Sequence, residues 1–144
     1  MITAPTLKNT DLFQDLSSQS LQAIVGIATL KSFEEGDDIY KLGDDANDLY
    51  FLDSGRVRFS IRVGARLDGS GSLIVPGTLF GWAALLHDEP RRVAAASCLE
   101  DSKVYLISRE KILKLFEADS EAGYQVMSRL ATTIAGDFIS VLSV

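Results

Sequence analysis

The sequence predicts a mainly β domain, a sandwich or barrel-like roll with helices at both ends. Residues 56–63 alternate strictly: Val57, Phe59, Ile61 and Val63 fall on one face, and Arg56, Arg58, Ser60 and Arg62 on the other. That is the period of a half-buried strand. Between Phe33 and Ile107, short apolar runs are separated by clusters of Gly, Asp, Asn, Ser and Pro, the residues that tolerate or pre-set tight turns. Outside that stretch the apolar residues recur at spacings of three and four, the period of an amphipathic helix.

In chain order, Leu12-Phe13-Gln14-Asp15-Leu16 is an apolar entry, and Ser17 or Ser18 can cap the following helix by accepting from an orphan N–H. Leu21, Ile24, Val25 and Ala28 carry that helix, predicted over 17–29. The β region, 30–107, opens with a turn at Glu35-Gly36-Asp37-Asp38 and a strand at Ile39–Leu42. A turn at 43–48 leads to the buried strand Leu49-Tyr50-Phe51-Leu52, and Asp53-Ser54-Gly55 leads to the alternating strand. Residues 64–72 read as a hairpin loop, and Leu73-Ile74-Val75 as a strand stopped by Pro76-Gly77. Residues 93–97 and 102–107 read as two further strands. C-terminal helices occupy 108–143: a short one capped by Ser108, then a longer one capped by Asp119 or Ser120 and bearing Val126, Met127, Leu130, Ala131, Ile134, Phe138, Val141 and Leu142. The expected organisation is one domain over residues 1–144.

Composition narrows the function. The net charge is −6, with 47% hydrophobic and 24% charged residues. That is ordinary for a globular chain and poor for binding DNA, which needs a basic surface. Arg56, Arg58, Arg62 and Arg66 read as a solvated strand face. No apolar run is long enough for a membrane span and there is no signal peptide at the start, so a cytoplasmic location is expected. One cysteine, Cys98, permits no internal disulfide, and with the single His87 it makes no zinc site, so no metal is expected. The Asp37–Asp48 acids lack a calcium loop's closing Glu and read as turn acids. His87 has no partner placed for catalysis and reads as a loop histidine, and Cys98 reads as a small buried hydrophobe.

Residues 77–97 carry the chemistry. Gly81 permits close backbone approach, and residues 82–86 can form one helical turn with free N–H groups near an anion. Arg91 can return to that point and clamp the anion with its forked donors. The alternative is a structural turn with two surface arginines.

With these motifs in order, the chain resembles the cyclic-nucleotide-binding domains of catabolite-activator-type regulators, kinase regulatory subunits and gated channels. The matching residues are Leu12-Phe13 with Leu16-Ser17, Phe33–Ile39, Gly43-Asp44, Leu49–Leu52, Ser54–Val57, Pro76-Gly77, Phe80-Gly81 and Pro90-Arg91. The resemblance implies a jelly-roll-like double-stranded β-roll with an N-terminal helix and a long C-terminal helix that senses the ligand. It also implies that Arg91 is the phosphate clamp. In two places the chain departs from the family pattern. Trp82 stands where the family's Gly-Glu-Leu-Ala has the ribose-binding Glu, and Arg92-Val93-Ala94 stands where the family reads Ala-Ala-Thr. An indole is donor-only and cannot accept the 2′-hydroxyl's bond.

The resulting expectation is a non-enzymatic regulatory module for an anionic small molecule, a cyclic nucleotide such as cAMP or cGMP being the implied ligand, with no resident cofactor. Its candidate ligand-binding residues are Gly81, Trp82, Ala83, Arg91, Arg92 and, from the last helix, Thr133. The alternative is a degenerate domain that serves only protein interaction or dimerisation. A homodimer through residues 120–143 is expected, because Met127, Ile134 and Val141 recur every seven residues, flanked by Leu130, Ala131 and Phe138.

Overall fold

Ser17 does cap a helix: its side chain accepts from the Ser20 N–H, and α2 runs Ser18–Ile27. It is preceded by a five-residue helix absent from the sequence reading, α1 at Ala4–Lys8, capped by Thr3. The computed structural model describes residues 1–63, 66–67, 72–86, 88 and 90–142; His87 and most of the 64–72 loop lie outside them.

The first sheet has the order β1(Ala28–Phe33)-β9(Ser102–Ser108)-β3(Asp48–Ser54)-β7(Leu79–Phe80). In the second, β8(Ala94–Cys98) lies between β2(Asp38–Tyr40) and β4(Val57–Val63), and β4 also pairs β5(Arg66–Leu67) and β6(Ser72–Ile74). All named pairings are antiparallel. The two sheets with helices at both ends make the expected β-roll.

Strand β3 explains its own apolar run. Leu49 and Phe51 enter a core beneath the helices, with Phe13, Leu16, Leu21, Ile24, Ile107, Ile112, Phe116 and Val126. Tyr50 and Leu52 point the other way, into a second core with Tyr40, Val57, Ile74, Phe80, Ala96, Cys98 and Val104. A strand covered on both faces has no polar side to show. Fully burying one such side chain stabilises by roughly 1.5–3 kcal/mol.

Residues 28–33 correct the expected helix end. The helix stops at Ile27, and Ala28–Phe33 pairs β9 along its whole length, from Ala28 opposite Ile107 to Phe33 opposite Ser102. The tertiary ladder overrides a weak local helical pattern.

At the other end, Ser108 caps α3 (Arg109–Ala118) through the Lys111 N–H. The 23-residue α4 (Ser120–Leu142) follows. Asp119 accepts from the Ala122 N–H at the start of α4 and from the Ser20 hydroxyl of α2, so one carboxylate joins two helix N-termini. Arg129 forks onto Asp15 at 2.7 and 3.1 Å and ties α4 to the N-terminal turn. The Ser20 hydrogen bond, and after it the Ala122 N–H, hold the Asp119 carboxyl below its ordinary value of 3.8. A lowered carboxyl contributes stability that is complete above its unfolded value and is lost as pH falls through its folded one. Asp119→Ala is therefore expected to lower the urea midpoint at neutral pH, and the gap from wild type to narrow as pH drops below 3.8. A gap that stays constant into strong acid would show that the charge contributes nothing.

The first half of α4 buries Ala122, Val126 and Leu130 against the roll. Met127 and Ile134 also pack there, half-buried. This corrects the expected interface stripe, since two of its three heptad residues face their own domain; the side chain of Val141 lies outside the described residues. Residues 135–140 are all exposed, with Phe138 at 61%, and Leu142 beyond them is 68% exposed.

Candidate functional site

Gly81 leaves the short strand β7 in the left-handed conformation, φ 80° and ψ 38°, and starts a single 3₁₀ turn, Trp82–Leu85. Only glycine takes this position without strain. The space is filled as well: a Cβ there would lie 2.8 Å from Tyr50 Cδ2 and 3.0 Å from Arg92 Nη1. Within the turn the Ala84 N–H bonds the Gly81 carbonyl.

The chain returns to this point at residues 90–94, where Arg91 forms an isolated antiparallel bridge with Asp45 and a bend at Val93 leads into β8. The Arg92 N–H donates to the Asp44 carbonyl at 2.8 Å, and the Arg92 carbonyl accepts from the Gly43 N–H at 2.9 Å. Successive side chains of an extended segment point to opposite sides. Strand β8 buries Ala94, Ala96 and Cys98, and the same phase carried back buries Arg92 and exposes Arg91 and Val93.

That phase corrects the sequence expectation. Arg91 faces solvent, its side chain 61% exposed, and pairs with Asp45 instead of returning to residues 81–83. Arg92 returns there. It is 3% exposed. Its Nη1 donates to the Gly81 carbonyl at 2.9 Å and its Nη2 to the Asp48 carbonyl at 2.6 Å. The guanidinium carbon lies 4.3 Å from the ring centre of Tyr40 and 5.3 Å from that of Tyr50. Tyr40, Tyr50 and Phe80 form a packed aromatic group, with centroid separations of 5.7 Å and 5.2 Å about Tyr50. The Arg92 Nε–H is buried without a hydrogen-bond partner. Among the described residues no carboxylate forms an ion pair with Arg92.

The electrostatics follow from this burial. Desolvation pushes the Tyr40 phenol up to about 12, against the pull of Arg92. Burial also raises the Tyr50 phenol and the Asp48 carboxyl, again opposed by Arg92. The Cys98 thiol is buried and raised chiefly by desolvation, which makes it an inert hydrophobe.

Arg92 lines a cavity with Tyr40, Phe59, Gly81, Trp82, Ala83, Val93 and Ala94. Gly81, Trp82, Ala83 and Arg92 are thus brought together, and Arg91 is not. Thr133 lies elsewhere, in a separate cavity with Asn9–Leu12 and Gly77–Phe80; half-buried Trp82 borders both cavities. The sequence signal that distinguishes Arg92 from Arg91 is the phase of the following strand, which the Pro-Arg match obscured.

Residues 30–119 match the cyclic nucleotide-binding domain family. The chain is 32% identical over 110 residues to the cyclic AMP receptor protein of Thermus thermophilus, covering 76% of this chain and 50% of that one. It is 32% identical over 92 residues to the cAMP-dependent protein kinase regulatory subunit of Debaryomyces hansenii, covering 64% of this chain and 19% of that one. The chain thus spans half the length of the first and about a fifth of the second. The crystal structure of the Thermus thermophilus catabolite activator protein superposes with a TM-score of 0.74 at 28% identity, covering 92% of this chain and 63% of that one.

Proposed function

Since this chain belongs to the cyclic nucleotide-binding domain family, we propose that it is a cytoplasmic regulatory module that senses a small anion at Arg92 and passes the signal to its C-terminal helices. The observation that carries this reading is a buried cation with no carboxylate partner among the described residues. A buried charge is costly unless it is paired. Two backbone carbonyls and two aromatic faces compensate Arg92 in part, and an anion would complete the compensation.

An incoming anion competes with the Gly81 and Asp48 carbonyls for the guanidinium's forked donors. Asp48 begins β3, and the adjacent Asn47 carbonyl accepts the N–H of Arg109, the first residue of α3. Exchange at Arg92 therefore acts on a backbone segment bonded to the start of the C-terminal helices. The reading is one of binding and not of catalysis: among the described residues the cavity lining holds one cation and one phenol but no nucleophile–base pair. With a net charge of −6, the domain is not read as a DNA-binding surface. Among the described residues no helix is long and apolar enough to cross a membrane.

A second reading, dimerisation through α4, is favoured by its exposed C-terminal half. Ala131, Ala135, Phe138 and Leu142 are all exposed and follow one another at spacings of four, three and four. These spacings suit the seam of a two-helix coiled coil.

The anion reading is tested by thermal shift and calorimetry with cAMP and cGMP on wild type and Arg92→Gln. An anion at a hundred times its Kd should stabilise wild type by about 2.7 kcal/mol, and Arg92→Gln should abolish the effect. Stabilisation that survives Arg92→Gln would overturn the site. Trp82→Glu restores an acceptor where the family has its ribose-reading Glu. It is expected to raise cAMP affinity by roughly tenfold, the effect of one satisfied buried hydroxyl; unchanged affinity would show that Trp82 is not what limits nucleotide binding.

A further inference from the structure

We propose that the cavity lined by Thr133 is a second ligand site, for a small uncharged molecule with a one-ring apolar body and a hydroxyl or amide end. It is separate from the Arg92 cavity, and the inference does not depend on the anion reading above.

Three parts of the chain meet at this cavity: the loop at residues 9–12, the segment 77–80 that contains β7, and α4 through Thr133. Its volume is about 170 Å³. An apolar cavity of about 150 Å³ is enough to hold benzene, so a single ring fits. Buried Leu12, Leu49 and Phe80, with half-buried Leu79 and Trp82, supply apolar contacts for it.

The polar lining has capacity left. Thr10 donates its hydroxyl to the Leu7 carbonyl. Among the described residues, the side chains of exposed Asn9 and of half-buried Thr78 and Thr133 make no hydrogen bond. A hydroxyl or amide both donates and accepts, as these three side chains do.

Charge narrows the class. Asp11 is the one charged residue among the described residues of the lining. The cation that feels Asp11 is Arg129, and it is already forked onto Asp15. Lys8, next to Asn9, donates its ammonium to the carbonyls of Gln14 and Leu16. An anion would therefore meet a carboxylate and no cation in this lining. Asp11 is exposed, so its pull on a cationic ligand is screened to less than about fivefold in affinity. The apolar contacts and the free hydrogen-bonding groups thus favour an uncharged ligand. Bound here, it would bridge the roll to α4 where the packed part of that helix, ending at Ile134, gives way to the exposed residues 135–140.

Titration calorimetry with 2-phenylethanol, phenylacetate and 2-phenylethylamine tests this, read together with the fluorescence of Trp82, the sole tryptophan. 2-Phenylethanol is expected to bind with a Kd below about 1 mM and to shift the Trp82 emission. Phenylacetate should bind at least about tenfold more weakly, because its carboxylate is desolvated without a cation. The amine should bind within about fivefold of the alcohol. Thr133→Phe and Thr78→Phe fill the cavity from two different elements, and each should weaken the alcohol at least about tenfold. Thr133→Ser keeps the hydroxyl and should leave affinity within about twofold. No binding of the alcohol at 10 mM, on the order of ten times the expected Kd, would overturn the site. Phenylacetate binding as tightly as the alcohol, or an amine preference above about fivefold, would overturn the ligand class. Binding that survives both phenylalanine substitutions, or that leaves the Trp82 emission unchanged, would overturn the assignment to this cavity.

Discussion

Gly81→Ala is expected to lower the unfolding free energy by about 2–5 kcal/mol and to remove any anion response. Two costs add. The left-handed backbone at φ 80° costs a non-glycine residue roughly 1–2 kcal/mol. A Cβ at 2.8 Å from Tyr50 Cδ2 and 3.0 Å from Arg92 Nη1 adds an overpacking cost of typically 1–3 kcal/mol. Neither neighbour can yield easily. Tyr50 stacks on both Tyr40 and Phe80, and Arg92 is held by two carbonyls. Gly43→Ala is the control: its φ is +89° but nothing lies within 4 Å of the added Cβ, so only the conformational cost applies. Urea titration of both variants separates the two costs. Equal destabilisation would show that the Gly81 site relaxes around a methyl group and that Arg92 is not held where it lies.

What was legible in the sequence followed local rules. The strand predicted over residues 56–63, with Val57 buried between exposed Arg56 and Arg58, and the caps Ser17 and Ser108 all appear where their local chemistry puts them. Elements made by pairing alone were not legible. Strand β1 exposes Thr29 to Ser32 and has no alternation of its own, and it exists because β9 offers a ladder. Strand β7 has two residues, too few for any period. The site failed differently. The resemblance places the clamp at Arg91 beside Pro90, whereas the buried side chain is that of Arg92, in phase with buried Ala94, Ala96 and Cys98. Thr133 could not be placed by helical spacing alone, because which cavity it lines depends on how α4 lies on the roll.

Phe138→Glu is expected to weaken self-association of this chain at least a hundredfold, which corresponds to about 2.7 kcal/mol. Helix α4 does two jobs along its length. Ala122, Val126 and Leu130 are buried against the roll, and Ile134 is still half-buried there. From Ala135 to Ser140 the described residues are exposed, and so is Leu142, with Phe138 at 61% and Leu142 at 68%. With Ala131 and Ala135 they form one apolar seam, and the two alanines let a second backbone come close. In a two-fold dimer each such residue meets its own copy or a near neighbour, so one substitution sets two carboxylates facing each other in a desolvated seam. Sedimentation equilibrium on wild type, Phe138→Glu and Ile134→Glu separates interface from fold. Wild type should be dimeric at tens of micromolar, and Phe138→Glu monomeric with an unchanged urea midpoint when both are compared as monomers. Ile134→Glu, which packs on its own roll, should lower that midpoint. A wild type that stays monomeric at several hundred micromolar would overturn the seam as an interface, and a dimer that survives Phe138→Glu would place the contact elsewhere on the domain.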